Sequence, residues 1–323
     1  MHITIISHDN WGYNHNIVSA LEKRGHIVNH IDFHTFQYKY PNIPYRVYNF
    51  FRKTFFNKNI KKIHFGNEIN RRLKELGQIQ DAILTIKGDL IDPKSILEFK
   101  KYTKKSIAFF NDNVQRCPKI ASILPNFDLV FSFEKEDCAK YNLNFITNYI
   151  YSESGINPSI NFKYDVFNIS SKDNRFKTIA KIADELHAKG ITSKIIIFDK
   201  KNKNKNINLD FTSKYVQIEE VNEYIKHSKL LLDIHRREQN GLTFRVFESI
   251  GLQKKLITTN PNIVNYEFYN PKNILVINDL NINFDLDLDF FKLPYEPIPH
   301  DIYKNYTLDS WINTIFDLKN EII

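Results

Sequence analysis

The sequence alternates short apolar strands with amphipathic helices in two successive series. The first series runs from a strand at 3–7 through a helix at 16–23 to a strand at 27–33, and adds strands at 82–88, 106–112 and 129–133. Each strand is short, rich in β-forming residues and followed by polar residues, as in buried parallel sheets. Because βαβ units build parallel sheets, residues 1–150 are predicted to form one doubly wound α/β domain.

The alternation stops in residues 151–164, which contain Gly155 and Pro158 and are predicted to be a linker. It restarts over 165–300, where strands are predicted at 166–170, 193–199, 215–218, 230–235, 256–259 and 274–277. A closing helix is predicted in 301–323. The fold class is therefore α/β, with two doubly wound domains and a ligand site at the carboxyl ends of the sheets, in the cleft between them.

Composition narrows the functional classes. The net charge of +8 suits an anionic partner such as nucleotide phosphates, a phospholipid surface or nucleic acid. Two cysteines, Cys117 and Cys138, cannot form a disulfide framework or a zinc site. The chain has no basic leader and no run of 18 apolar residues, so it is expected to be cytoplasmic.

The most informative segment is residues 230–260, which are predicted to form a strand, a polar loop, a helix, a glycine and another strand. Arg245 and Glu248 are three residues apart and share a helix face. A helix start after a strand attracts phosphate, Arg245 adds a planar donor fork, and Glu248 can accept hydrogen bonds from ribose hydroxyls. The alternative is an ordinary surface ion pair. The apolar residues around Arg245 and Glu248 predict a helix that is packed on the sheet. This position favours a nucleotide-diphosphate site over a surface ion pair.

Residues 241–260, GLTFRVFESIGLQKKLITTN, resemble the donor-binding motif of GT-B glycosyltransferases of the bacterial lipopolysaccharide and capsule branch, related to the CgeB-like family. Further similar segments follow the same order at 110–116, 128–143, 165–176 and 265–277. The resemblance implies two Rossmann-like domains facing across a cleft, with the C-terminal helix packing back toward the N-terminal domain. It also implies transfer of a hexosyl or related group from a UDP-, GDP- or dTDP-sugar to a glycan or lipid-linked acceptor.

By this resemblance Arg245 contacts the donor diphosphate and Glu248 the ribose. The loop before the helix adds further donor-binding candidates, namely Asn240, Gly241 and Thr243. Retaining members commonly carry a second Glu eight residues before the ribose-binding one, where this chain has Asn240. Both stereochemical classes, retaining and inverting, therefore stay open.

Other candidates follow from their positions at strand ends. Arg175 and Lys172 lie near a second helix start and are candidate diphosphate cations, with exposed loop charges as the alternative. Asp233 and His235 are candidate sugar contacts. In the N-terminal domain, Asp112 and Asp9 are the preferred candidates for a catalytic base, although an Asp there can equally stabilise a turn. No convincing D-x-D metal motif is present, so a metal-independent enzyme without a tightly bound cofactor is expected.

Two other classes of function compete with the transferase. One is a nucleotide-sugar epimerase or phosphorylase on the same fold. The other is a basic nucleic-acid or membrane-binding module built on the aromatic and basic stretch at 38–65. Because no nucleic-acid motif accompanies these residues, nucleic acid is not expected as a partner. The stretch is instead predicted to be a helical insertion over the acceptor cleft that rests peripherally on the inner face of the cytoplasmic membrane.

Overall fold

The computed structural model describes residues 1–9, 11–56, 58–153, 161–200, 206–277 and 288–318. The chain divides into two compact units. The first comprises residues 1–147 together with the end of the chain from Trp311, and the second comprises 148–310. Residues 154–160 of the predicted linker and 319–323 of the predicted closing helix lie outside the described residues, as do 201–205 and 278–287 of the predicted second domain.

The first unit is built on a six-stranded parallel sheet in the order β2-β1-β3-β4-β5-β6. Its strands are β1 (His2–Ser7), β2 (Ile27–Asp32), β3 (Ala82–Ile86), β4 (Ser106–Phe110), β5 (Leu129–Ser132) and β6 (Asn144–Phe145). The strands β3 and β4 are buried at every position, because helices cover both faces of a parallel sheet. The apolar runs seen in the sequence therefore form the centre of this core.

Helices connect these strands. They are α1 (Tyr13–Lys23), α2 (Ile43–Phe56), α3 (Ile60–Glu75), α4 (Pro93–Glu98), α5 (Lys119–Ile123) and α6 (Lys135–Tyr141). Within the stretch at 38–65, the predicted helical structure is present as α2 and the start of α3. Asn59 begins α3 by accepting a 3.0 Å hydrogen bond from the Lys61 amide, which is the capping role that Asn often plays.

The second unit repeats the plan with the order β12-β11-β10-β7-β8-β9, again parallel throughout. Its strands are β7 (Tyr164–Ser171), β8 (Ser193–Phe198), β9 (Asp210–Thr212), β10 (Ser228–Asp233), β11 (Lys255–Thr258) and β12 (Ile274–Val276). Its helices are α7 (Phe176–Ala188), α8 (Ile218–Lys226), α9 (Phe244–Gly251), α10 (Leu288–Lys292) and α11 (His300–Tyr303). Two buried apolar clusters pack against the sheet.

One predicted strand is wrong. Residues 215–218 were expected to be extended, but the edge strand beside β8 is Asp210–Thr212, and Ile218 already begins α8. Val221 and Ile225, both buried and four residues apart, lie on one face of this helix, which begins at the last residue of the short apolar run. A run of four residues was too short to separate a strand from a helix start.

The last helix, α12 (Leu308–Phe316), returns to the first unit from Trp311 onward. The Trp311 indole lies edge-on to the Phe109 ring at 5.2 Å and donates a 3.1 Å hydrogen bond to the Thr147 carbonyl. Arg24 donates a 2.6 Å hydrogen bond to Asn313. The predicted packing of the C-terminal helix on the N-terminal domain therefore rests on both apolar and polar contacts.

Candidate nucleotide-binding site

The strand order of the second unit marks where a ligand site is expected. From β7 the chain proceeds to β8 on one side, whereas β10 lies on the other side of β7. In open parallel sheets, ligands bind beyond the carboxyl ends of the two strands at which the order reverses. Here those ends lead into residues 172–175 and 234–236.

A charged cluster joins these two loops. The Arg175 guanidinium pairs with the Asp173 carboxylate at 2.8 Å and donates a 2.8 Å hydrogen bond to the Ile234 carbonyl. Arg236 pairs with the same carboxylate at 2.9 Å. Two guanidinium groups are thus held around one acid at the point where the strand order reverses.

The same contacts set the protonation of Asp173. Burial of the Asp173 carboxyl opposes its ionisation. The pKa of this carboxyl is nevertheless lowered, because the Arg175 side chain and amide donate hydrogen bonds to it and both arginines are positively charged. Arg175 also occupies the N-cap position of α7. The predicted diphosphate cation is therefore a positioned side chain, not a loose loop charge.

Lys172 is held as well. Its ammonium lies 3.2 Å from the Asp199 carboxylate, which is itself largely buried, and 5.3 Å from the centre of the Phe176 ring. A lysine with these two partners presents a fixed positive charge beside the end of β7. The structure thus gives both predicted cations a defined position at this end of the sheet.

Arg245 and Glu248 form a buried ion pair on α9. The guanidinium Nη1 and the carboxylate Oε2 are 2.5 Å apart, and the two side chains are 11% and 1% exposed. The alternative of an ordinary surface ion pair is therefore wrong. Burying two charges costs free energy that their attraction only partly restores, so such pairs are weak sources of stability. A buried pair at this place in the fold is a candidate functional feature.

Two aromatic residues contact the pair. The Arg245 guanidinium lies 5.3 Å from the centre of the Phe167 ring on β7, a cation–π contact. The Tyr151 hydroxyl donates a hydrogen bond to Glu248 Oε1. Each charged side chain is thus held by its partner and by one ring residue that is distant in sequence.

The segment 148–152 runs along α9. Asn148 donates a 2.8 Å hydrogen bond to the Leu242 carbonyl just before the helix, and Tyr151 reaches Glu248. At the far end, a Cβ added to Gly251 would lie 2.2 Å from the Ser152 carbonyl oxygen. Gly251 is the last residue of α9, as expected, and its lack of a side chain lets this segment pass close by.

The loop before α9 is fixed by hydroxyl and amide contacts. Thr243 is the N-cap residue, yet its hydroxyl donates a 2.8 Å hydrogen bond to Asp233 instead of capping the helix. The other oxygen of Asp233 accepts a 2.9 Å hydrogen bond from Thr258. His235 contacts the Thr259 hydroxyl through its amide at 3.0 Å and its Nδ1 at 2.8 Å.

Asn240 and Gly241 precede the same helix. The Asn240 carbonyl accepts a 3.1 Å hydrogen bond from Asn260, and its side-chain oxygen accepts a 2.9 Å hydrogen bond from Asn262. Gly241 is buried.

Asp233 anchors this loop. Both of its carboxylate oxygens accept hydrogen bonds, and the residue is 4% exposed.

In the first unit, the predicted catalytic carboxylates stabilise local structure. Asp9 accepts a 2.9 Å hydrogen bond from the Asn14 amide in the first turn of α1. Asp112 pairs with Arg116 four residues later, and its side chain is 20% exposed. These contacts agree with the turn-stabilising alternative, and they leave the Asp112 carboxylate accessible to solvent.

The reversal of strand order in this sheet lies between β1 and β3, next to His8 and Asp89. Burial, together with the nearby charges of His34 and Lys87, lowers the pKa of His8. Burial raises the pKa of Asp89, against the opposing charge of Lys62. The end of this sheet therefore carries two titratable groups whose charged forms are disfavoured.

Sequence reasoning did not identify three residues of the site, namely Tyr151, Phe167 and Asp173. Tyr151 is 97 residues from its partner Glu248, so no local pattern could reveal that contact. Asp173 had a signal, because it lies two residues before Arg175 at a helix start, where Asp is common.

The described ranges contain neither a candidate metal centre nor a membrane-spanning helix. No group of three or more His, Cys, Asp or Glu side chains in that part of the chain could hold a metal ion. No helix there has the length and apolar content needed to span a bilayer.

Comparison with solved structures places this arrangement of two sheets in a known fold. The chain is similar to a UDP-forming α,α-trehalose-phosphate synthase from Burkholderia xenovorans, with 10% identity over 99% of each chain and a TM-score of 0.54. It is also similar to the catalytic domain of starch synthase IV from Arabidopsis thaliana bound to ADP and acarbose. That match has 8% identity, covers 100% of this chain and 96% of the other, and has a TM-score of 0.52.

These similarities show that the chain has the GT-B fold of two Rossmann-like domains, as the sequence resemblance implied. No protein-family model and no curated protein sequence matches the chain. At 8–10% identity these proteins and this chain share the fold alone. The reaction therefore has to be inferred from the residues of the site.

Proposed function

We propose that this protein is a glycosyltransferase that moves a sugar from a nucleoside-diphosphate sugar to a glycan or lipid-linked acceptor. The observation that carries the proposal is the buried Arg245–Glu248 pair on the helix that follows β10, one of the two strands at the reversal of strand order. The GT-B fold of the chain supports it.

In the proposed reaction, the acceptor hydroxyl oxygen forms a bond to the anomeric carbon while the bond from that carbon to the diphosphate oxygen breaks. Negative charge then builds up on the departing diphosphate. Arginine side chains and helix N-termini stabilise such charge without help from a nucleophile on the protein. Arg245 and Arg175 have this role in the proposal, with Lys172 as an additional cation.

Glu248 is proposed to accept hydrogen bonds from the two ribose hydroxyls. Because this carboxylate is 1% exposed and is engaged by Arg245 and Tyr151, donor binding has to turn these partners away from it. The ribose and diphosphate would then replace the contacts that the pair loses. Thr243, Asn240 and Gly241 shape the loop beside the donor. His235 in that loop, and Asp233 at the end of β10 just before it, are proposed to meet the sugar.

A base is proposed to remove the proton of the acceptor hydroxyl. Asp112 is the first candidate because its carboxylate is accessible, and Asp9 is the second because one of its oxygens already serves α1. Nucleoside-diphosphate release that requires an added acceptor would distinguish a transferase from an epimerase on the same fold.

The finer proposal is a role in surface polysaccharide synthesis, as in lipopolysaccharide or capsule, at the inner face of the cytoplasmic membrane. It rests on the resemblance of residues 241–260 to that branch of transferases. The reaction is proposed to transfer a hexosyl or related group, independently of metal.

Thermal unfolding with UDP, GDP and dTDP tests the donor site. A nucleotide at about 100 times its dissociation constant stabilises the fold by about 2.7 kcal/mol. For a unit of this size we expect a rise in Tm of about 5–11 °C. Arg245→Ala and Glu248→Gln should each abolish the rise.

Arg71→Ala is the matched control, because Arg71 also pairs with a glutamate three residues away, but on an exposed helix face. The control should keep the full rise in Tm. The proposal is wrong if no nucleotide stabilises the protein, or if the two site variants respond like the control.

A further inference from the structure

The helix α2 exposes an apolar surface. Phe50 is 63% exposed, and Phe55 and Phe56 are each 70% exposed. The other large side chains exposed on this helix are Ile43, Tyr45, Val47, Tyr48 and Phe51. We call Ile43, Val47, Tyr48, Phe50, Phe51 and Phe55 the α2 surface. At 3.6 residues per turn they fall within an arc of roughly 160°.

The opposite side of the helix is anchored. Asn49 is the buried residue of α2, and its side-chain oxygen accepts a 2.9 Å hydrogen bond from the Ile60 amide at the start of α3. Its amide nitrogen donates a 2.6 Å hydrogen bond to the Tyr40 hydroxyl. These contacts hold the helix in one orientation, with the α2 surface facing outward.

Positive charge surrounds this surface. Residues 33–67 contain seven Lys and Arg and no Asp or Glu, while the whole chain has a net charge of +8. On the helix itself, Arg46 and Lys53 flank one edge of the apolar arc and Arg52 flanks the other. An outward apolar face between cations is the pattern of a helix that lies in the plane of a membrane interface.

We infer that the α2 surface binds the surface of a bilayer containing anionic phospholipid. The rings enter the boundary between headgroups and acyl chains, and the flanking cations meet lipid phosphates. This inference deepens the proposed function, on which its biological meaning rests, because it states where a lipid-linked acceptor would be met.

Vesicle co-sedimentation of the full chain tests the inference. The probes are vesicles of phosphatidylcholine alone and of phosphatidylcholine with phosphatidylglycerol. We expect binding to the anionic vesicles, reduced about tenfold or more when phosphatidylglycerol is omitted or salt is raised. The variant F50S/F51S/F55S should lose the binding to a similar extent.

The matched control is I207S/V264S/L293S, which removes three exposed apolar side chains from the second unit. It should bind like the unaltered protein. Since all six side chains are exposed, both variants should keep the thermal unfolding of the parent.

The inference is overturned by the absence of binding to either vesicle, by equal loss in the control variant, or by self-association of the parent that F50S/F51S/F55S abolishes. Single-stranded RNA that binds the parent better than the anionic vesicles do would also overturn it. The vesicle assay needs no nucleotide and the nucleotide assay needs no membrane, so either proposal can fail without the other.

Discussion

Removing one partner of the Arg245–Glu248 pair should destabilise the protein strongly. The two side chains are 11% and 1% exposed, so Arg245→Ala leaves a carboxylate inside the protein without its cation. Breaking a buried pair in this way typically costs about 3–5 kcal/mol, against about 1 kcal/mol or less for an exposed pair. For a unit of this size the loss corresponds to a fall in Tm of about 6–20 °C.

Urea unfolding of four proteins measures the effect: the parent, Arg245→Ala, Arg245→Met with Glu248→Leu, and the exposed control Arg71→Ala. The double variant leaves no unpaired charge, so it should be more stable than the single variant. The reasoning is refuted if Arg245→Ala loses no more than about 1 kcal/mol, as expected for the control. It is also refuted if the double variant is the less stable of the two.

Two further predictions concern single side chains. Tyr151→Phe should lower the free energy of unfolding in urea by about 1.5–3 kcal/mol, because it removes a hydrogen bond to a charged group while keeping the ring beside Phe244. An unchanged midpoint would exclude that hydrogen bond. Hydrogen bonds from Arg71, and less so from Arg72, lower the pKa of Glu68 to about 2. Its folded pKa is thus below the unfolded value, so the stability that it contributes is present above about pH 4.5 and is lost as the pH falls toward 2. The unfolding free energies of the parent and Glu68→Gln should therefore differ by up to about 1 kcal/mol at pH 6 and converge near pH 2, and a constant difference would contradict this.

Much of the architecture was predictable because it follows from local patterns. The alternation of buried strands and amphipathic helices predicts two parallel sheets, and both sheets are present with six strands each. The Arg245 and Glu248 spacing predicts a shared helix face, and the pair lies on α9. Prediction failed at 215–218, where four residues carry too little periodicity to separate a strand from the start of a helix.

The tertiary structure decided what surrounds those residues. Whether Arg245 and Glu248 form an exposed or a buried pair depends on Phe167 and Tyr151, which come from other parts of the chain. The joining of Asp173, Arg175 and Arg236 likewise depends on β7 and β10 being neighbours in the sheet. Periodicity along a chain reports which face of an element is apolar, but the partners of that face are set by packing between distant segments.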